Sequence, residues 1–69
     1  MSKVLITLNG EPFEIEENQN VQDLITKLEL DPKKIAIEMN LEIVALHEFN
    51  SRKIPTGAKI EIVHFIGGG

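Results

Sequence analysis

Lys3-Val4-Leu5-Ile6-Thr7-Leu8-Asn9-Gly10, running on into Glu11-Pro12-Phe13-Glu14-Ile15-Glu16, is the stretch on which the fold turns. Residues 3–8 alternate and are rich in β-branched side chains, the pattern of a strand. Asn9-Gly10 is the strongest short hairpin signal, because both residues tolerate the positive φ of a tight turn. Phe13 and Ile15 then alternate with Glu14 and Glu16, a second strand antiparallel to the first.

Beyond the polar segment Glu17 to Gln19, Asn20 is placed to cap a helix, with Asp23 at the third helical position of a capping-box-like arrangement. Val21, Leu24, Ile25 and Leu28 follow at i, i+3, i+4 and i+7, one apolar helix face. Lys27 suits the negative end of the helix dipole, and Asp31-Pro32 stops further helix. Ile35–Met39 reads as a third strand and Ile43-Val44 as a short fourth. Leu46 to Phe49 reads as one irregular turn. Pro55-Thr56-Gly57 is a turn before the last strand, Lys59 to His64. The order β-β-α-β-β-β predicts an α+β, two-layer fold, a mixed sheet of about five strands with one helix packed across it. Val4, Ile6, Leu8, Ile37, Ile60 and Ile62 are its expected inward residues.

With 69 residues the chain is one small domain. Chains of this length bury only about 60% of their unfolded surface, so the core is thin. There is no cysteine, which excludes disulfides, thiolate metal sites and thiol redox chemistry. Any sulfur it handled would sit on another group. Lys and Arg total 7 against 11 Asp and Glu, a net charge of −4. That opposes nucleic-acid binding, which needs clustered positive charge. Apolar runs are too short to span a membrane, and no secretory leader is evident. A cytoplasmic location is expected.

The end of the sequence is its most informative chemical feature. Ile66 is followed by Gly67-Gly68-Gly69. Glycine triplets cannot pack and hold large conformational entropy. One reading is a frayed end or a cloning remnant. The other is a tail that threads a partner's narrow channel, where side chains would obstruct.

Several motifs point to a family. In chain order they are Asn9-Gly10-Glu11, Val21-Gln22-Asp23-Leu24-Ile25, Ile35-Ala36-Ile37-Glu38-Met39-Asn40, Glu42-Ile43-Val44, Gly57, Ile60-Glu61-Ile62-Val63 and the Gly-Gly end. Nearly the whole chain resembles the ThiS-type sulfur carriers of thiamine biosynthesis, a ubiquitin-like family related to MoaD. The resemblance implies a ubiquitin-like β-grasp domain over residues 1–66 and a flexible tail over 67–69. It implies that Gly69 is the activated residue and that Gly67 and Gly68 thread. A ThiF-like adenylating enzyme would use ATP to form an acyl-adenylate on Gly69. Sulfur from a cysteine desulfurase system would convert it to a thiocarboxylate, and a ThiG-like thiazole synthase would draw on that sulfur. The protein would be a co-substrate with no bound cofactor, not an enzyme.

Two positions depart from the family pattern. Asn40 is followed by Leu41 where the family commonly has Asn-Gly; Leu is costly at positive φ, so another turn geometry is expected. Glu29 stands near the helix end where Gly is frequent.

If Ile60 and Ile62 point inward, Glu61, Val63 and Phe65 point outward. With first and last strands adjacent, Leu5 and Thr7 would flank Val63. Leu5, Val63 and Phe65 would then form an exposed docking patch beside the tail. The alternative is that Phe65 folds back onto the core edge. Glu11, Glu14, Glu16 and Glu17 form an acidic cluster, either simply solvated or steering a basic partner. His47 and His64 lack partners for catalysis or metal binding, and no Gly-rich phosphate loop precedes a helix. Other readings stay open: a MoaD-like small subunit of molybdopterin synthase or another thiolation carrier, a protein-conjugating modifier, or a β-grasp interaction module with a passive tail.

Overall fold

The structure, a computed structural model, describes residues 2–65. The elements are β1 (Lys3–Leu8), β2 (Glu11–Glu16), α1 (Val21–Lys27), β3 (Ile35–Met39), β4 (Glu42–Val44) and β5 (Lys59–His64). Single 3-10 turns occupy Pro32–Lys34 and Leu46–Glu48. The strands lie in the order β2-β1-β5-β3-β4. β1 and β5 are parallel and the other neighbours antiparallel. One helix on one face of this mixed sheet makes a ubiquitin-like β-grasp, as the patterning and the resemblance predict. No helix among the described residues is long and apolar enough to cross a membrane.

The core lies between α1 and the inner sheet face. Val21, Leu24 and Ile25 of the helix are buried in one cluster with Ile6, Ile15, Ile37 and Ile60. Val4, Leu8 and Ile62 are only partly buried against it. Phe49, Ile54 and Ala58 complete the cluster from the segment between β4 and β5. The same segment supports the helix start. The N–H groups of Val21 and Gln22 donate to the carbonyls of Arg52 and Phe49, each at 2.9 Å. Asp23 N–H donates to Asn20 Oδ1 at 2.8 Å, and Asn20 N–H to Asp23 Oδ2 at 3.0 Å. Leu24 N–H reaches Asn20 C=O. The four N–H groups of Asn20 to Asp23, which an α-helix leaves without intrahelical partners, are thus all met.

The helix does not run on to Pro32. Glu29 adopts φ 59°, its N–H donates to Thr26 C=O and Leu30 N–H donates to Ile25 C=O, each at 3.1 Å. This is the paired closure that usually uses glycine in the left-handed position. Pro32 instead opens a 3-10 turn capped by Asp31 Oδ1, which accepts from Lys33 N–H at 2.9 Å.

The β3–β4 turn corrects the expectation of another geometry. Asn40 and Leu41 have φ 53° and 71°, the two-residue turn that Asn-Gly would make. The pair Met39–Glu42 closes the ladder, which leaves only two residues to reverse the chain. Asn40 is also tied to β5: its N–H donates to Lys59 C=O at 2.8 Å. These tertiary bonds outweigh the steric cost at Leu41, whose side chain is exposed.

Candidate functional site

Gly67, Gly68 and Gly69 lie outside the described residues. The site can therefore be built up to its threshold at Phe65. β5 sits between β1 and β3, paired to β1 through Thr7–Lys59 and Leu8–Ile60. Its pairing with β3 runs much further, from Met39–Ile60 to Ile35–His64. Phe65 N–H then donates to Lys34 C=O at 2.9 Å. The last residues of the strand are thus held on the β3 side.

Alternation places Ile60 inward and fully buried, with Glu61, Val63 and Phe65 outward and exposed. Leu5, Val63 and Phe65 are 55%, 60% and 60% exposed, so Phe65 does not fold back onto the core. The expected three-residue patch does not form, however. Leu5 lies level with Gly57, whose N–H donates to Leu5 C=O at 2.8 Å. Val63 lies four strand residues beyond Lys59, the partner of Thr7, about 13 Å at 3.3 Å per residue, and farther still from Leu5. Parallel pairing carries β5 past the end of β1, so neither Leu5 nor Thr7 flanks Val63. The register partner of Val63 is Ala36 on β3. Val63 and Phe65 stay as an apolar threshold to the glycines; Leu5 faces Glu14 at the other end of the sheet.

Further apolar exposure occurs at the β3–β4 end. Leu41, Ile43 and Leu46 are each more than half exposed. Ile43 pairs with Glu38, and Glu38 pairs with Glu61 on β5. The signal for Ile43 was available: adjacent residues on a strand face opposite ways, and Val44 takes the inner side.

Of the acidic cluster, Glu16 contacts Lys3 at 3.7 Å, while Glu11, Glu14 and Glu17 are exposed. Arg52 bridges Glu42 at 2.8 Å and Glu48 at 3.9 Å, joining β4 to the segment that caps the helix. His47 and His64 are exposed, and the described residues contain no group of three His, Cys, Asp or Glu side chains able to hold a metal. What the geometry offers chemically is a rigid sheet presenting the end of its central strand.

Comparison with known proteins agrees with that geometry. The ThiS family model matches residues 6–69. The chain is 39% identical over 64 residues to the thiazole synthase of Paramagnetospirillum magneticum, covering 93% of the chain but spanning only 20% of that relative's length. It is 32% identical over 66 residues to the sulfur carrier protein ThiS of Bacillus subtilis, covering 94% of this chain and all of that one. The crystal structure of the thiamine biosynthesis protein ThiS from Geobacter metallireducens superposes with a TM-score of 0.83 at 28% identity, over 96% of this chain and all of that one.

Proposed function

The chain belongs to the ThiS family, and from that premise we propose that it is a cytoplasmic sulfur carrier of thiamine biosynthesis whose Gly69 carboxylate is the modified group. The observation that carries the reading is the reach of the family match, which runs through β5 and on to Gly69. Residues 1–66 serve as the handle that partners grip, and residues 67–69 as the arm.

A carboxylate is a poor acyl donor because its oxygen is a poor leaving group. The Gly69 carboxylate attacks the α-phosphorus of ATP on a ThiF-like enzyme, and pyrophosphate leaves. A hydrosulfide equivalent, released from the persulfide of a cysteine desulfurase system by a two-electron thiol reductant, attacks the acyl carbon, and AMP departs. The product thiocarboxylate presents a nucleophilic sulfur. A ThiG-like thiazole synthase is the proposed acceptor, supported by the relatives of that name that contain a segment similar to this chain. The chain acts as a co-substrate, and ATP and sulfur are handled by its partners. The absence of cysteine means that no internal thiol intercepts the adenylate.

Val63 and Phe65 are the proposed docking residues, because among the described residues they are the exposed apolar side chains nearest the glycines in sequence. The test is the intact mass of the chain after incubation with ATP, an adenylating enzyme and a sulfur donor. The expected gain is that of one oxygen exchanged for one sulfur, absent from a chain lacking Gly69. No adenylate and no thiocarboxylate with competent partners would overturn the reading and favour a passive interaction module.

A further inference from the structure

Asn9 makes two hydrogen bonds to β5 from the tip of the β1–β2 hairpin. Its N–H donates to Ile60 C=O at 2.8 Å. Its side-chain Oδ1 accepts from Ile62 N–H, also at 2.8 Å. In a parallel ladder one residue donates to residue j of its neighbour and accepts from residue j+2. Asn9 reproduces this pattern although its backbone, at φ 49°, has already entered the turn. The side-chain carbonyl stands where the next backbone carbonyl of β1 would have stood.

This matters because of where β1 ends. The backbone pairs between β1 and β5 stop at Leu8–Ile60. Val63, His64 and Phe65 are held through β3 and Lys34 alone among the described residues. The bond to Asn9 is thus the last hydrogen bond on the β1 side of β5 among the described residues.

We propose that Asn9 is a positioning residue for the reaction at Gly69. By fixing Ile62 it holds β5 from the β1 side, so that the residues after Ile62 are gripped by β3 on a strand anchored at both edges. Without it, one-sided pairing lets the strand open further back. Freeing residues of the strand ahead of the reacting end lowers the effective concentration of that end at a fixed target. This rests on the carrier reading above.

Asn9→Gly is the informative variant, because glycine keeps the positive φ of the turn and removes only the acceptor. Asn9→Asp keeps both the acceptor and tolerance of the left-handed region, and serves as rescue. Asn40→Gly is the matched control, since Asn40 Oδ1 likewise accepts from a β5 amide, Lys59 N–H, at 2.9 Å, but three residues earlier. Two measurements are made on the full chain. Amide hydrogen exchange at Ile62 reports the bond itself. Pyrophosphate release with a ThiF-like adenylating enzyme, at varied carrier concentration, separates kcat from KM.

Asn9→Gly should speed Ile62 exchange about tenfold, the worth of one hydrogen bond. It should lower kcat about fivefold with KM within about twofold, since tether dilution acts on the bound complex. Asn9→Asp should restore both. Asn40→Gly should speed exchange at Lys59 and leave kcat unchanged. The proposal is overturned if Asn9→Gly loosens Ile62 without lowering kcat, if its loss appears only in KM as for a smaller folded fraction, or if Asn40→Gly lowers kcat equally. Failure of the wild-type chain to be adenylated would instead overturn the carrier reading, and this proposal with it.

Discussion

Asn40 and Lys59 exchange two hydrogen bonds, and only one of them is backbone to backbone. Asn40 N–H donates to Lys59 C=O at 2.8 Å, and Asn40 Oδ1 accepts from Lys59 N–H at 2.9 Å. The side chain completes the reciprocal pair that antiparallel strands make. Anchored this way, Asn40 hands the second turn position to Leu41, at φ 71°.

Leu41→Gly should therefore stabilise the fold. A left-handed conformation costs an L-residue about 1–2 kcal/mol, and the greater freedom of glycine in the unfolded chain returns part of that. Leu41 is 81% exposed, so little burial is lost. A net gain of about 0.5–1 kcal/mol should raise Tm by several degrees, since about 1 kcal/mol shifts a small domain by roughly 4–8 °C. An unchanged or lower Tm would contradict the strain.

Glu29→Gly should act in the same direction, by roughly 0.5–1 kcal/mol. Its φ of 59° closes the helix with two backbone hydrogen bonds that glycine would retain. Urea denaturation should show a higher midpoint with an unchanged slope. The double variant with Leu41→Gly should be additive, because the two turns use separate hydrogen-bond partners, Ile25 and Thr26 for one and Lys59 for the other.

Asn20→Ala removes three interactions at once: the cap to Asp23 N–H, the support for the reciprocal Asp23 bond, and the Nδ2 donation to Asn50 C=O at 2.9 Å. A cap of this kind is worth about 1–2 kcal/mol. Exchange should accelerate in the first turn of α1 and in residues 49–54 together, since the two segments hold each other. Acceleration confined to the helix would show that they are independent.

Phe65→Ala and Val63→Ala should leave the melting temperature nearly unchanged and each lower kcat/KM for adenylation about tenfold, the typical scale of an apolar interface anchor. Leu5→Ala should have no such effect, because parallel register places it at the far end of the sheet. Equal losses in all three variants would mean that the docking surface spans the whole outer face.

Most of the fold was readable because its signals are local. Asn9-Gly10, the Asn20–Asp23 box and the alternation of β5 each carry their own geometry. Phe49 and Ile54 were not legible as core. They are single apolar residues in a polar segment, without a period to mark an inner face. Leu41 was misread because local sterics were weighed without the two bonds that Lys59 makes to Asn40. Leu5 was misplaced for a different reason. A period of two states which face a residue occupies and says nothing of stagger between strands, and a parallel pair leaves its stagger to tertiary packing. Of the candidate site, the exposure of Val63 and Phe65 could be read from the alternation of β5, while Gly67, Gly68 and Gly69 lie outside the described residues. The reach of Asn9 to Ile62 joins residues 53 apart in sequence, and no short-range pattern announces it.

The central position of β5 also governs the order of assembly. Until residues 59–64 arrive, β1–β2 and β3–β4 are two separate hairpins with no shared ladder. A two-stranded hairpin alone is marginal in water. Joining them closes a long loop, a slow non-local step. The sheet therefore becomes continuous in the same event that seats the strand leading to the glycines. A chain stopped short of residue 59 would leave two open hairpins with exposed edges, not a smaller working domain. Seating of Val63 in the sheet is thus coupled kinetically to completion of the fold.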